Sequence, residues 1–267
     1  MSEPKPEPQS LWSDLPKLLT GVGGVLAAAA ALLTALHGIG VLAPARASPT
    51  APASPAPVPT TVATVAAAQP TLLLQENFDD PTSGWEAGAD SGAEWGYRDG
   101  EYRVVANAKD TAVWGSPQPA RDWADFSLEV DARRVEGPLD NELGVAVRIP
   151  VRAGSPTGRH GRPDGKNMYL FAISSDGHYV LRMLRNDEWQ DLVKWTVSPA
   201  VRQGKSINHL RVECRGPRMR FWANGQLLVE VQDATLRSGN VGLLGAAFAE
   251  PGVVVHFDNL RIETLGP

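Results

Sequence analysis

The chain of 267 residues holds a single cysteine, Cys214, so neither an intrachain disulfide nor a cysteine-rich zinc site can form. Its five histidines make no H-E-x-x-H or His-x-His pair, the usual mark of a catalytic zinc. No G-x-S-x-G elbow and no Gly-rich phosphate loop ahead of a helix is present. Positive charge is in deficit, with Lys+Arg 25 against Asp+Glu 30 and a net charge of −5, which argues against a partner nucleic acid. Beyond residue 70 no window longer than about 11 residues has a helical period. Charge is absent altogether between residues 18 and 45.

That uncharged stretch is the first positive feature. TGVGGVLAAAAALLTALHGIGVLA (20–43) would extend roughly 36 Å as a helix, enough to cross a hydrocarbon core of ~30 Å. A signal peptide is the competing reading, because Ala45-Arg46-Ala47 resembles an A-x-A cleavage site, but a signal h-region runs only ~7–15 residues. The expectation is an uncleaved transmembrane helix over 18–43, with 1–17 as a short cytoplasmic tail. Trp12 and Lys17 suit its interfacial flank. Residues 44–70 are rich in Pro, Ala, Ser and Thr, and after Arg46 they carry no charge. Such a segment cannot bury a core and reads as a disordered, PPII-rich stalk. The expected location is therefore the cell membrane, single-pass, with the C-terminal domain extracytoplasmic.

Residues 71–267 are the folded part. Short runs of β-formers recur between turn signals, among them EYRVVA (101–106), DFSLEVDARRV (125–135), ELGVAVRI (142–149), NMYLFAI (167–173), HYVLRML (178–184), EWQDLVKW (188–195) and VVVHFDNLRI (253–262). In 125–133 the alternation is clean, with Phe126, Leu128, Val130 and Ala132 on one face. Asn224-Gly225 supplies the two positive φ values of a type I′ turn, pairing Ala223 with Gln226 and setting Trp222 beside Leu227. About twelve strands without crossover helices predict an all-β fold: a two-sheet antiparallel jelly-roll sandwich, about six strands to a sheet.

The segments ENFDDPTSGWE (76–86), YRDGEYRVV (97–105), YLFAISSDGHYVLRML (169–184), FWANGQLLVEVQD (221–233) and GNVGLLGAAFAEPGVVVHFDNLRI (239–262), in that order, resemble the concanavalin A-like lectin/glucanase jelly roll. Within it the likeness is to the laminin-G-like, 3-keto-disaccharide-hydrolase-like branch, and it covers about 75–264. The resemblance implies the fold more specifically than any activity, since this fold carries lectins, glycosidases and adhesion modules.

The glucanases of that superfamily carry E-x-D-x-x-E on one strand. Here Glu129 and Asp131 match its first two positions, but Arg134 stands at the third. A retaining glycosidase needs two carboxylates ~5 Å apart, so no catalytic residue is assigned and Glu129, Asp131 and Arg133 read as a solvated strand face. The candidate ligand site is aromatic and polar. Trp189, Asp191 and Trp195 share a parity on their strand, Arg148 faces away from Val145, Val147 and Ile149, and Arg182 faces away from Tyr179, Leu181 and Met183. Together they would line a concave face, as stacking platforms and hydroxyl partners for a carbohydrate or cell-envelope polymer, or else form a salt-bridged outer sheet face. The loop 150–166 carries Arg152, Arg159, His160, Arg162 and Lys166, and reads as a basic rim for an acidic polymer or a solvated insertion.

Asp258 shares the parity of Leu260 and Ile262 unless a bulge intervenes. A carboxylate among such neighbours must be hydrogen-bonded or must hold an ion. Two readings stand: a structural Ca²⁺ held by Asp258 with Asp79 or Asp80, or hydrogen bonds to backbone amides or an Arg. The function expected is a membrane-anchored, non-catalytic carbohydrate-binding module. A glycoside or keto-disaccharide hydrolase and a protein-interaction module are the alternatives.

Overall fold

The computed structural model describes residues 69–151, 167–186 and 188–266. The expected tail, the membrane span 18–43, nearly all of the stalk and the basic loop from Arg152 to Lys166 lie outside the described residues. Among the described residues there is no helix, and therefore none long and apolar enough to cross a membrane.

Fifteen strands follow one another: β1 Leu72–Glu76, β2 Gly88–Ala89, β3 Ala93–Arg98, β4 Glu101–Ala106, β5 Thr111–Gly115, β6 Phe126–Glu136, β7 Glu142–Ile149, β8 Asn167–Ile173, β9 His178–Arg185, β10 Glu188–Val197, β11 Asn208–Arg215, β12 Arg218–Ala223, β13 Gln226–Gln232, β14 Asn240–Ala247 and β15 Val253–Glu263. They form two antiparallel sheets. One has nine strands in the order β13-β12-β11-β6-β15-β4-β3-β2, with β1 also paired to β15. The other has six, in the order β10-β9-β8-β7-β14-β5. The expected six-and-six division is corrected to nine and six. The three strands not anticipated, β2, β3 and β5, are two to six residues long and lack a clean alternation.

The anticipated alternation builds the core. Phe126, Leu128, Val130 and Ala132 of β6 are buried inward, as are Leu210, Val212 and Cys214 of β11 and Phe221 of β12. Across from them the six-stranded sheet contributes Leu143, Val145, Val147, Tyr169, Phe171, Leu181 and Leu243. Each such large apolar side chain, fully buried, contributes ~1.5–3 kcal/mol. Burial pushes the Cys214 thiol up to about 12, so it is an inert core group. The Asn224-Gly225 turn has φ values of 50° and 82°, and Ala223 pairs with Gln226 and Trp222 with Leu227, as the sequence predicts.

Two bulges redirect side chains that matter below. In β7, Ala146 pairs with Gly242 and Ile149 with Asn240, so Val147 and Arg148 together stand opposite Val241. Arg148 has φ of 56° there. In β15, Asp258 pairs with Asp131 and Arg261 with Glu129, so Asn259 and Leu260 together stand opposite Val130, and Asn259 has φ of 54°. An extra residue of this kind reverses the in-and-out order of everything beyond it.

Candidate functional site

The outer face of the six-stranded sheet carries the side chains whose parity opposes the core. Met168, Leu170 and Ala172 of β8, Val180 and Leu184 of β9, Ala146 and Ile149 of β7, Leu244 and Ala246 of β14 and Trp114 of β5 form a second apolar cluster there. On β10, Trp189 pairs with Leu184 and Asp191 with Arg182, which fixes both on this face. A register shift between Asp191 and Val193 turns Val193 toward the core, and a second between Val193 and Thr196 restores the parity. Trp195 consequently returns to the outer face and packs on the second cluster.

Asp191 and Trp195 meet around Arg182. Its Nε donates to Asp191 Oδ1 at 3.0 Å, and its Nη1 lies 3.2 Å from both carboxylate oxygens of Glu142, donating to Oε2. The guanidinium carbon stands 5.5 Å from the centroid of the Trp195 ring and 5.9 Å from that of Phe248. Trp195 and Phe248 meet edge to face, with centroids 6.3 Å apart. Trp189 is 41% exposed, a large free aromatic area beside these polar groups. Glu142 is only 2% exposed. Burial raises its carboxyl to about 7, over the opposing pull of Arg182 and with help from the negative charge of Asp191. The pair of carboxylates around one guanidinium thus contains one group able to hold a proton near neutrality and one on an exposed strand.

Four of the five expected ligand residues, Trp189, Asp191, Trp195 and Arg182, are therefore brought to one face. Arg148 is not, and that expectation is corrected. The β7 bulge turns it inward, where it is fully buried. Its guanidinium closes one end of the sandwich by donating to the carbonyls of Leu236 at 2.8 Å, Gly216 and Ala124. Its place in the outward order is taken by Ile149. The residues that sequence reasoning missed are Glu142 and Phe248. Glu142 had a signal: it heads ELGVAVRI, a run with no other carboxylate. Phe248 had none, because it lies beyond the end of β14.

The three expected metal residues lie elsewhere. Asp258 does not point among Leu260 and Ile262; the bulge at Asn259 sends those two into the core and Asp258 to the outer face of the nine-stranded sheet. Its Oδ1 accepts the Asn259 amide at 2.6 Å. Burial, followed by the like charges of Glu101, Asp131 and Asp79, raises its carboxyl despite that bond. Asp79 accepts from Asn77 Nδ2 at 2.7 Å, while Asp80 caps a turn by accepting the amide and hydroxyl of Thr82, which hold it below its ordinary value. Among the described residues no group of three or more His, Cys, Asp or Glu is arranged to hold a metal ion. Glu129 and Asp131 share the same solvated face, paired with Arg211 and His209.

A two-sheet antiparallel sandwich with an aromatic and charged outer face defines a concanavalin A-like jelly-roll domain. The chain belongs to the family of 3-keto-alpha-glucoside-1,2-lyase-like domains, whose family model matches residues 74–263. Among solved structures it is similar to the carbohydrate-binding module CBM66 from Bacillus subtilis, at 17% identity and a TM-score of 0.51, over 68% of this chain and 96% of that one. A Bacillus subtilis protein of unknown function with a galectin-like fold matches at 12% identity and a TM-score of 0.53, over 73% and 96%. The catalytic domain of an endo-1,3-beta-glucanase (laminarinase) from Thermotoga petrophila matches at 10% identity and 0.50, over 73% and 98%. At these identities the likeness is one of fold. No curated protein matches the chain.

Proposed function

We propose that the domain binds a carbohydrate on the outer face of the six-stranded sheet. The observation that carries this reading is the exposed Trp189 ring on the same face as the Arg182–Asp191 ion pair. Sugar rings present C–H groups to an aromatic face and hydroxyls to paired charges, and the strands around Arg182 offer both. Trp189 is the stacking platform, Asp191 accepts from hydroxyls, Arg182 donates, and the buried Glu142 holds Arg182 from beneath. Trp195 and Phe248 fix the guanidinium from the side. Similarity in fold to a carbohydrate-binding module supports the same reading. The ligand proposed is a glycan or a cell-envelope polymer, held by a domain that residues 18–43 anchor at the membrane and residues 44–70 carry outward. Full-length protein should be titrated against a panel of oligosaccharides. Binding that Trp189→Ala abolishes supports the reading, and a panel without a binder contradicts it.

A further inference from the structure

The outer side of the nine-stranded sheet, opposite the face around Arg182, carries a run of arginines on the β11–β12 hairpin. Arg211, Glu213 and Arg215 alternate along β11, and Arg218, Arg220 and Trp222 along β12, in the cross-strand pairs Arg211–Trp222, Glu213–Arg220 and Arg215–Arg218. Beside them, bounded by β6, β11, β12 and the C-terminal tail, lies a cleft of about 240 Å³. It is large enough for several water molecules or one sugar ring. Arg211, Arg215, Arg220, Ser127 and Glu129 supply polar walls, and Pro70 and Leu265 an apolar one. Two of the guanidiniums are fixed in place by the protein itself. Glu213, only 8% exposed, accepts from Arg211 Nη2 and from Arg220 Nη2. Both guanidinium carbons also stand against the Trp222 ring, 5.0 and 5.1 Å from its centroid. Arg211 Nε donates further to Ser127 Oγ at 3.2 Å. After these bonds Arg211 Nη1 and the Nε and Nη1 groups of Arg220 have no acceptor among the described residues.

The charge of Arg215 is an independent pointer to an anion. The acids of the cleft are already matched: Glu213 by Arg211 and Arg220, Glu263 by Arg261, and Glu129 by Arg211 and His209. Among the described residues Arg215 has no carboxylate partner. Its Nη2 donates to the Gly266 carbonyl at 2.6 Å, and its Nε and Nη1 donate to nothing. Directly across from it stands Arg218, a second cation without a carboxylate among those residues. Like charges so opposed destabilise a strand pair, and neither side chain belongs to the core.

We propose that this cleft binds an acidic sugar residue, a hexuronate, through its carboxylate, at a site separate from the face around Arg182. Arg215 takes the carboxylate with its two unused donor positions, the fork geometry that suits a planar anion, and the added negative charge relieves the Arg215–Arg218 opposition. Arg211 and Arg220 present their unused N–H groups to ring hydroxyls, Glu129 accepts from another hydroxyl, and the C–H face of the ring lies on Pro70 and Leu265. Inorganic phosphate fits less well. Its second charge would face Glu129 and Glu263, and it has no apolar surface to set against Pro70 and Leu265.

The test is calorimetric titration of the full-length wild type and of Trp189→Ala, Arg215→Gln and Leu265→Ser with methyl glucuronide, methyl glucoside and inorganic phosphate. Methyl glucuronide should bind wild type and Trp189→Ala alike, because the cleft lies on the other sheet. To Trp189→Ala the glucoside and phosphate should bind much more weakly than the glucuronide. Arg215→Gln should weaken glucuronide binding about tenfold or more through loss of charge-assisted hydrogen bonds, and Leu265→Ser should weaken it by a smaller factor. Trp189→Ala thus separates this cleft from the carbohydrate face proposed above, so that either can fail without the other. The proposal is overturned if the glucuronide does not bind, if Trp189→Ala abolishes its binding, if the glucoside or phosphate binds Trp189→Ala as tightly, or if either Arg215→Gln or Leu265→Ser binds like the wild type.

Discussion

The guanidinium of Arg182 lies against the ring of Trp195, 5.5 Å from its centroid, although two bulges separate Trp195 from the regular part of β10. The first bulge turns the strand over and the second turns it back, so an aromatic ring and a cation on adjacent strands still meet on one face. Cation–π contact of this kind contributes ~0.5–2 kcal/mol, and it orients the guanidinium between Asp191 and Glu142.

Arg182 should therefore be a structural hub as well as a ligand donor. Arg182→Ala leaves the buried Glu142 carboxyl without its cation; because that carboxyl can take up a proton near neutrality, the loss through this pair is expected to be about 1 kcal/mol or less at pH 7 and to grow toward pH 9. The double variant Arg182→Met with Glu142→Gln should recover much of it. Chemical denaturation of the three proteins measures the difference, and equal stability of single and double variants would contradict the coupling.

Glu142 gives the pH dependence a sign. Its carboxyl is raised from 4.5 to about 7 in the folded chain, so the folded state holds a proton that the unfolded state has released. Its contribution to stability is fully present below pH ~4.5, falls as pH rises, and is gone above pH ~7. The whole change is up to about 3 kcal/mol at 1.36 kcal/mol per pH unit. Denaturation midpoints of wild type and Glu142→Gln between pH 4 and 8 should converge at the acid end and separate toward neutrality, the wild type becoming relatively weaker. Parallel profiles would show that Glu142 does not titrate in this window.

Arg148 is expected to behave as core. Truncation to Ala removes the fully buried donor to three backbone carbonyls and opens a cavity, at a cost of about 3–5 kcal/mol. Arg148→Lys cannot reach all three carbonyls at once and should be destabilised too. Thermal melts check both, and a near-neutral Arg148→Ala would contradict the end-closing role.

Gly115 offers a packing test on the opposite side. A methyl group there would stand 1.7 Å from the Tyr102 hydroxyl, which donates to the Glu86 carbonyl at 2.6 Å. Gly115→Ala should displace that hydroxyl and lower the melting temperature markedly, and Gly115→Ala with Tyr102→Phe should be milder.

Strand identity was legible in the chain because hydrophobic alternation and the Asn224-Gly225 turn are local signals. ELGVAVRI and NMYLFAI became β7 and β8 with the bounds read from them. Positions after a bulge were not legible. Arg148 and Asn259 take positive φ because neighbouring strands demand an extra residue there; Asn tolerates that conformation, but at Arg148 no local residue preference announces it. Strict alternation therefore sets Arg148 outward and Asp258 on the core side, whereas Trp195 keeps its expected face through two shifts that cancel. The role of Glu142 is not local either. Its partner Arg182 is on a different strand, and only the folded sheet brings the two within 3.2 Å.

The most direct measurement of the central claim is a paired titration and melt of wild type and Trp189→Ala, using the tightest-binding oligosaccharide of the panel. Trp189 is 41% exposed, so its removal should leave the melting temperature within a degree or two and eliminate saturable sugar binding. Unchanged sugar affinity in Trp189→Ala would show that the carbohydrate site is not on the outer face of the six-stranded sheet.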